Sequence, residues 1–183
     1  MAIQADKILV IDLEATCWGE DGSYQQQNSE IIEIGLCILN VDSGEIEANE
    51  GILVKPVHSD ISDFCTQLTS ITPEMIEQEG RSLEEAIVLL REKYHSLNYS
   101  WASYGAYDKN MLLEQCKRFN VEYPMSSSHI NVKTLLSRKL NLEKGLGMQK
   151  ALKRLNIPLE GTHHRGVDDA KNIAKILKLI LKK

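Results

Sequence analysis

The feature that most limits how this chain can fold is Lys7-Ile-Leu-Val-Ile-Asp12-Leu-Glu14-Ala-Thr-Cys-Trp18, an apolar run that ends in two carboxylates. Ile8 to Ile11 is continuous and rich in β-branched side chains, the pattern of a central strand covered on both faces. Residues two apart in a strand share a face, roughly 7 Å apart along the chain, so Asp12 and Glu14 point together while Leu13 points away. Two anions at the end of a dry strand are costly unless a cation compensates, and a divalent metal is the densest compensation. Hard oxygen ligands favour magnesium or manganese. A lone Asp-x-Glu also fits a strand that simply ends in water, so the rest of the chain has to separate these two readings.

The 183 residues suit one domain, 1–183, large enough to bury a core. The net charge of −5 argues against a protein that coats long nucleic acid, so any such partner is expected to be gripped locally. Four cysteines (Cys17, Cys37, Cys65 and Cys116) form no Cys-x-x-Cys pair, which argues against structural zinc and a small disulfide scaffold and points to a reducing, cytoplasmic setting. The N-terminal apolar run is too short for a membrane span and is followed by acids rather than by a small-residue cleavage site, so no membrane association is expected.

Gly19 to Ser29 is polar and predicts a surface loop beside the carboxylates. Ile31–Leu39 is a second strand, and Ile46 with Gly51–Val54 its hairpin partner across the Asp42-Ser-Gly44 turn. Glu33 in the second strand is expected to be an exposed, structural residue. Leu68–Ile71 reads as a tight loop, Thr72-Pro73 as a helix start, and Ser82-x-x-Glu85 as a capping box ahead of an amphipathic helix. Tyr99–Tyr104 is a strand, followed by a helical stripe of Asp108, Met111, Leu112, Gln115, Cys116 and Phe119. Asp108 therefore aims at the interior that the first strand reaches, or else serves the helix dipole. Ile130–Val132 is a short strand, with Thr134–Leu140 following and a helix over Leu146–Leu155.

Gly161-Thr-His-His-Arg-Gly-Val-Asp-Asp then opens a helix near Val167. Asp169 shares a stripe with Ile173, Ile176 and Ile180 and faces inward, whereas Asp168 shares one with Asn172 and Lys175 and faces water. Taken together, Asp12-x-Glu14, Tyr107-Asp108 and His164-x-x-x-x-Asp169 resemble the three motifs of the DEDDh-type 3′-to-5′ exonucleases. Glu14-Ala-Thr-Cys-Trp18, Phe64-Cys-x-x-Leu-Thr-Ser-Ile71 and the His-x-Gly-x-Asp-Asp-x-x-Asn-Ile run are similar to the branch of histone-mRNA and small-RNA 3′ exonucleases. The resemblance spans nearly the whole chain, with Ser70 standing where the branch usually has Gly and Ala106 in a variable position.

The resemblance implies an α/β, RNase H-like fold, with a mixed five-stranded sheet ordered 3-2-1-4-5 and flanked by helices. It implies two Mg2+ or Mn2+ ions held by Asp12, Glu14, Asp108 and Asp169, with Asp12 bridging and Asp108 acting largely through water. His164 would be the general base, with His163 one residue out of register. Ala15, Thr16, Cys17, Leu68, Thr69 and Ile71 would wall the terminal nucleotide. The implied activity is hydrolysis at the 3′ end of single-stranded nucleic acid, RNA in preference to DNA, releasing nucleoside 5′-monophosphates; protein partners are left unspecified. A DNA proofreading or repair exonuclease shares every catalytic residue, and an inactive RNase H-like binding module shares the fold. A modest basic patch (Lys109, Lys133, Arg138, Lys144, Lys150, Lys153, Arg154, Arg165) suits a grip on about two to four phosphates.

Overall fold

The first strand extends beyond its apolar heart on both sides. In the computed structural model, which describes residues 4–19 and 22–182, β1 runs Gln4–Ala15 and so includes both carboxylates. It is followed by α1 (Gly22–Asn28), β2 (Ile31–Asn40), β3 (Ile46–Leu53), α2 (Asp63–Thr69), α3 (Pro73–Glu79) and α4 (Leu83–Glu92). Then come β4 (Tyr99–Ser103), α5 (Tyr107–Arg118), β5 (His129–Asn131), α6 (Val132–Lys139), α7 (Met148–Arg154) and α8 (Gly166–Leu181). The sheet order is β3-β2-β1-β4-β5, as the resemblance implied. β2 lies antiparallel to β1 and β3, whereas β1, β4 and β5 are parallel and deliver their C-terminal ends to one edge. In open α/β sheets that edge is where ligands are bound.

Alternation along β1 divides the interior. Leu9, Ile11 and Leu13 pack with Ile87 and Leu90 of α4 and Leu112 of α5 on one face of the sheet. Ile8 and Val10 pack on the other face with Leu136 of α6, Leu152 of α7 and the Ile173, Ile176 and Leu177 stripe of α8. The even-numbered register continues into Asp12 and Glu14, so both point to the α8 side. Each fully buried Leu or Ile on α8 contributes about 1.5–3 kcal/mol, enough for the helix to carry a charged first turn inward. A third, smaller cluster joins Cys17 and Ile32 to Cys65, Ile71 and Ile76 beneath α2 and α3.

Several local expectations are corrected. The Gly19–Ser29 stretch holds a helix, α1, rather than only loop; none of its residues is buried, so it carries no apolar period. Glu20 and Asp21 of that predicted loop lie outside the described residues. Leu68 and Thr69 belong to the last turn of α2 instead of a tight loop, and Ser70 is its left-handed C-cap at φ 61°. That conformation is the one glycine adopts without strain, which accounts for Gly being usual there. Val132 opens α6 rather than closing β5, and Gly147 delays α7 to Met148. Glu33, expected at the surface, is fully buried. Among the described residues no helix is long and apolar enough to cross a membrane.

Candidate active site

Strand register brings the acids together. Asp12 lies opposite Gly35 and Glu14 opposite Glu33 in the β1–β2 pair. Gly35 has no side chain because the backbone of Gly166 occupies that space: a Cβ there would lie 1.8 Å from the Gly166 carbonyl carbon. The start of α8 therefore rests directly on the sheet, and its first turn carries Asp169 over the end of β1. Ligand oxygens of Asp12, Glu14 and Asp169 all lie within 4.8 Å of one another. Asp108, 4 % exposed at the start of α5, lines the same cleft just outside this trio, and its Oδ1 accepts the Leu13 N–H at 3.0 Å.

Electrostatics make the cluster unstable as a set of bare anions. Burial first, and then Asp108, Glu14 and Asp169, hold the Asp12 carboxyl well above its ordinary range. Burial and the surrounding acids push Glu14 up to about 8. Burial raises Asp108 to about 6 despite the Leu13 N–H, and raises Asp169 against the opposing pull of the His164 N–H and of His163. Asp169 Oδ2 accepts from His163 Nδ1 and from the His164 backbone N–H, both at 2.9 Å, while its buried Oδ1 has no hydrogen-bond partner among the described residues. An orphaned carboxylate oxygen aimed at two further carboxylates is the donor set of a hard divalent cation.

The two histidines share one side of the loop. His164 adopts φ 66°, which reverses the usual alternation and stacks its ring on that of His163 at a centroid distance of 3.9 Å. Both line the cleft, and the contact of His163 with Asp169 is one that sequence spacing did not reveal. Burial and the neighbouring His163 lower His164 below its ordinary 6.5, so at neutral pH it is unprotonated and able to accept a proton. Asp168 stays outside the cluster, its Oδ2 accepting the Thr162 N–H at 2.8 Å. Asn172, expected on the same wet stripe, is instead fully buried, with its amide bonded to the Glu160 and Asp168 carbonyls.

The cleft holds about 360 Å³ and is also lined by Ala15, Cys17, Leu68, Gln25, Tyr104, Tyr107 and Met148. Thr16, Thr69 and Ile71 do not reach it. Thr16 is fully buried, its hydroxyl accepting the Glu30 N–H and bonding the Ser59 hydroxyl. The Thr69 hydroxyl closes on the Cys65 carbonyl and the Ile71 N–H, and Ile71 packs in the small core. These three support the wall that Ala15, Cys17 and Leu68 present. Tyr104, Tyr107, Gln25 and Met148 were not foreseen; Tyr107 is the residue before Asp108 and stands 55 % exposed at the mouth. A larger hollow of about 590 Å³ behind β3 is lined by Glu50, which is already paired with Lys93 at 2.7 Å, so chemistry rather than size marks the site.

The family profile described as "Exonuclease" (RNase_T) matches residues 9–177. The chain belongs to the exonuclease family. Within it, the chain is 31 % identical over 180 residues to human 3′-5′ exoribonuclease 1, covering 93 % of this chain and 51 % of the relative. It is 27 % identical over 191 residues to the Drosophila melanogaster 3′-5′ exonuclease Snipper, covering 93 % and 67 %. Among solved structures it is similar to the nuclease domain of 3′hExo, a DEDDh family member, bound to rAMP: TM-score 0.84, 30 % identity, 98 % of this chain and 94 % of that one. The structure of a 3′-exonuclease recognising the histone mRNA stem-loop gives TM-score 0.82 at 29 % identity, with 98 % and 65 % covered. This exonuclease chain spans about half the length of the exoribonuclease 1 relatives it matches.

Proposed function

We propose that this chain is a divalent-metal-dependent 3′-to-5′ exonuclease that releases nucleoside 5′-monophosphates from a free 3′ end of single-stranded RNA. The observation that carries the reading is the trio Asp12, Glu14 and Asp169, with the Asp169 Oδ1 left without a partner among the described residues beside two anions. Asp12, Glu14 and Asp169 would hold the metal, with Asp108 completing the set toward a second, and Mg2+ or Mn2+ suits all-oxygen ligation. Bound there, such ions neutralise charge on the scissile phosphate and on the departing 3′ oxygen.

The chain's own residues supply the rest. Water attacks phosphorus, the P–O3′ bond breaks with its electron pair on the departing 3′ oxygen, which takes a proton from solvent, and the proton of the attacking water passes to the neutral His164 ring. His163 and the His164 backbone N–H hold Asp169 in place through its other oxygen. Ala15, Cys17 and Leu68, with Tyr104 and Tyr107 at the mouth, would enclose the terminal nucleotide. RNA is favoured because relatives of about 30 % identity are named exoribonucleases and the neighbouring structures are titled with rAMP and with a histone mRNA stem-loop.

The test is degradation of end-labelled RNA and DNA of matched sequence, with Mg2+ or chelator and with the 3′ end free or phosphate-blocked. Mononucleotides should be released from free RNA ends only when metal is present. Full activity in excess chelator would sink the metal reading, cleavage of a circular substrate the exonuclease reading, and preference for DNA the substrate.

A further inference from the structure

α8 begins without a cap of its own: Arg165 stands at the N-cap position and makes no side-chain hydrogen bond there. The free N–H groups of a first helical turn need an acceptor, all the more when buried. Glu33 of β2 provides one from another strand. Its Oε2 accepts the Gly166 N–H at 2.7 Å and the Arg165 Nε at 3.3 Å, and its Oε1 accepts from the terminal guanidinium nitrogen at 3.3 Å. The carboxylate side chain is fully buried and the arginine side chain 22 % exposed, so this two-pronged pair works largely away from water. The slot is built for it. Gly35 admits the Gly166 backbone, and a Cβ at Gly51, its partner on β3, would come within 2.5 Å of Glu33 Oε1.

The residue just before this clamp is His164, held in a left-handed conformation that is strained for any side chain larger than glycine's. One turn after the clamp is Asp169. We infer that Glu33 is a positioning residue for hydrolysis: by gripping Arg165 and Gly166 it keeps His164 in its strained conformation and sets Asp169 against Asp12 and Glu14. The inference rests on the exonuclease reading for its kinetic consequence and on the clamp geometry for its structural one. Glu33 lies opposite Glu14 but does not line the cleft, so its loss acts through the placement of His164 and Asp169 and leaves the terminal-nucleotide wall in place.

The experiment uses the full chain as wild type, E33Q, R165Q and the double variant, with kcat and KM measured on a single-stranded oligoribonucleotide with a free 3′ hydroxyl in Mg2+. E33Q is isosteric and keeps an acceptor for Gly166, so the fold survives, and R165Q alters a partly exposed side chain. Each single variant should lose kcat by about tenfold or more with KM within about twofold, since small misplacements of a catalytic group are expensive. The double variant should be no worse than the weaker single, because the pair acts as one device. In parallel, the backbone amide resonances of His164, Gly166 and Asp169 should shift in E33Q while those of α4 stay in place. Near-wild-type kcat, a loss carried by KM, multiplied penalties in the double variant, or unmoved His164 and Asp169 resonances would each overturn the inference. A wild-type chain with no metal-dependent turnover would instead refute the exonuclease reading, and the resonances alone would then decide the clamp.

Discussion

Two neighbouring strands each bury carboxylates, and they treat them in opposite ways. On β2 and just before it, Glu30 and Glu33 are 1 % and 0 % exposed, and donors meet both oxygens of each. Glu30 accepts from the Val57 and His58 backbone N–H groups with Arg118 at 3.7 Å, and Glu33 accepts from Gly166 and Arg165. On β1, Asp12 and Glu14 find no hydrogen-bond or ion-pair partner among the described residues, and the acids facing them raise their affinity for protons. Buried charge by itself therefore says little about function. What separates the pairs is compensation: the first is neutralised from within the fold, and the second is left for something the fold does not contain.

That contrast is broken most directly by removing one acid from each side. Asp12→Ala should lower turnover by about 10³-fold or more while thermal stability stays level or rises through relief of repulsion. A variant with near-normal turnover would refute the site. His164→Ala should cost about 10²- to 10⁴-fold, the usual worth of a positioned base. His163→Ala, which removes only one support of Asp169, should cost about tenfold, and the reverse ranking would assign the base to the other ring. Glu30→Gln should do the opposite of Asp12→Ala, with turnover kept and stability lowered by about 1–3 kcal/mol as donors lose their charged acceptor. Equal effects of the two substitutions on activity would erase the distinction between the strands.

The smallest effect is one of pH. Asp12 and Asp169 are raised, Asp108 lies at about 6 and Glu14 at about 8, so the folded chain binds more protons than the unfolded one. In chelator, their stabilising contribution is fully present below about pH 4, the ordinary carboxylate range, and is lost as pH rises through about 6 and 8. Mg2+ or Mn2+ should flatten this decline, adding about 2.7 kcal/mol at a hundredfold excess over Kd. Melting curves from pH 5 to 8 with and without metal decide it. A Tm that climbs with pH in chelator would mean the acids are already compensated.

The legible parts of the sequence were those written in a period. Ile8–Ile11 revealed the central strand, and the Asp169, Ile173, Ile176, Ile180 stripe chose the inward acid correctly, because each pattern repeats against a large buried face. The helix α1 escaped because Gly22–Asn28 buries nothing. Thr16, Thr69 and Ile71 were assigned to the cleft wall by motif adjacency, yet motif neighbours alternate between the wall and the packing behind it. The burial of Glu33 was hidden for a different reason: its donors lie 132 and 133 positions away, and nothing local announces them. His163 was concealed by conformation instead of distance: its contact with Asp169 spans only six positions but depends on the left-handed turn at His164.

The docking of α8 onto Gly35 also has a consequence in time. Ribosomes add roughly 5–20 residues per second, so Asp12 and Glu14 are synthesised about eight to thirty seconds before Asp169. Throughout that interval the strand bearing Asp12 and Glu14 lacks the helix that completes the acidic cluster, while the growing chain is tethered beside its own messenger. Under the RNA-hydrolysing function proposed above, this order of synthesis would keep the acidic cluster unassembled until α8 has been translated and has closed over the strand. The same delay leaves Ile8, Val10, Cys37 and Leu39 without their Ile173, Ile176 and Leu177 cover, so the nascent sheet is the stage at which a chaperone has most to protect.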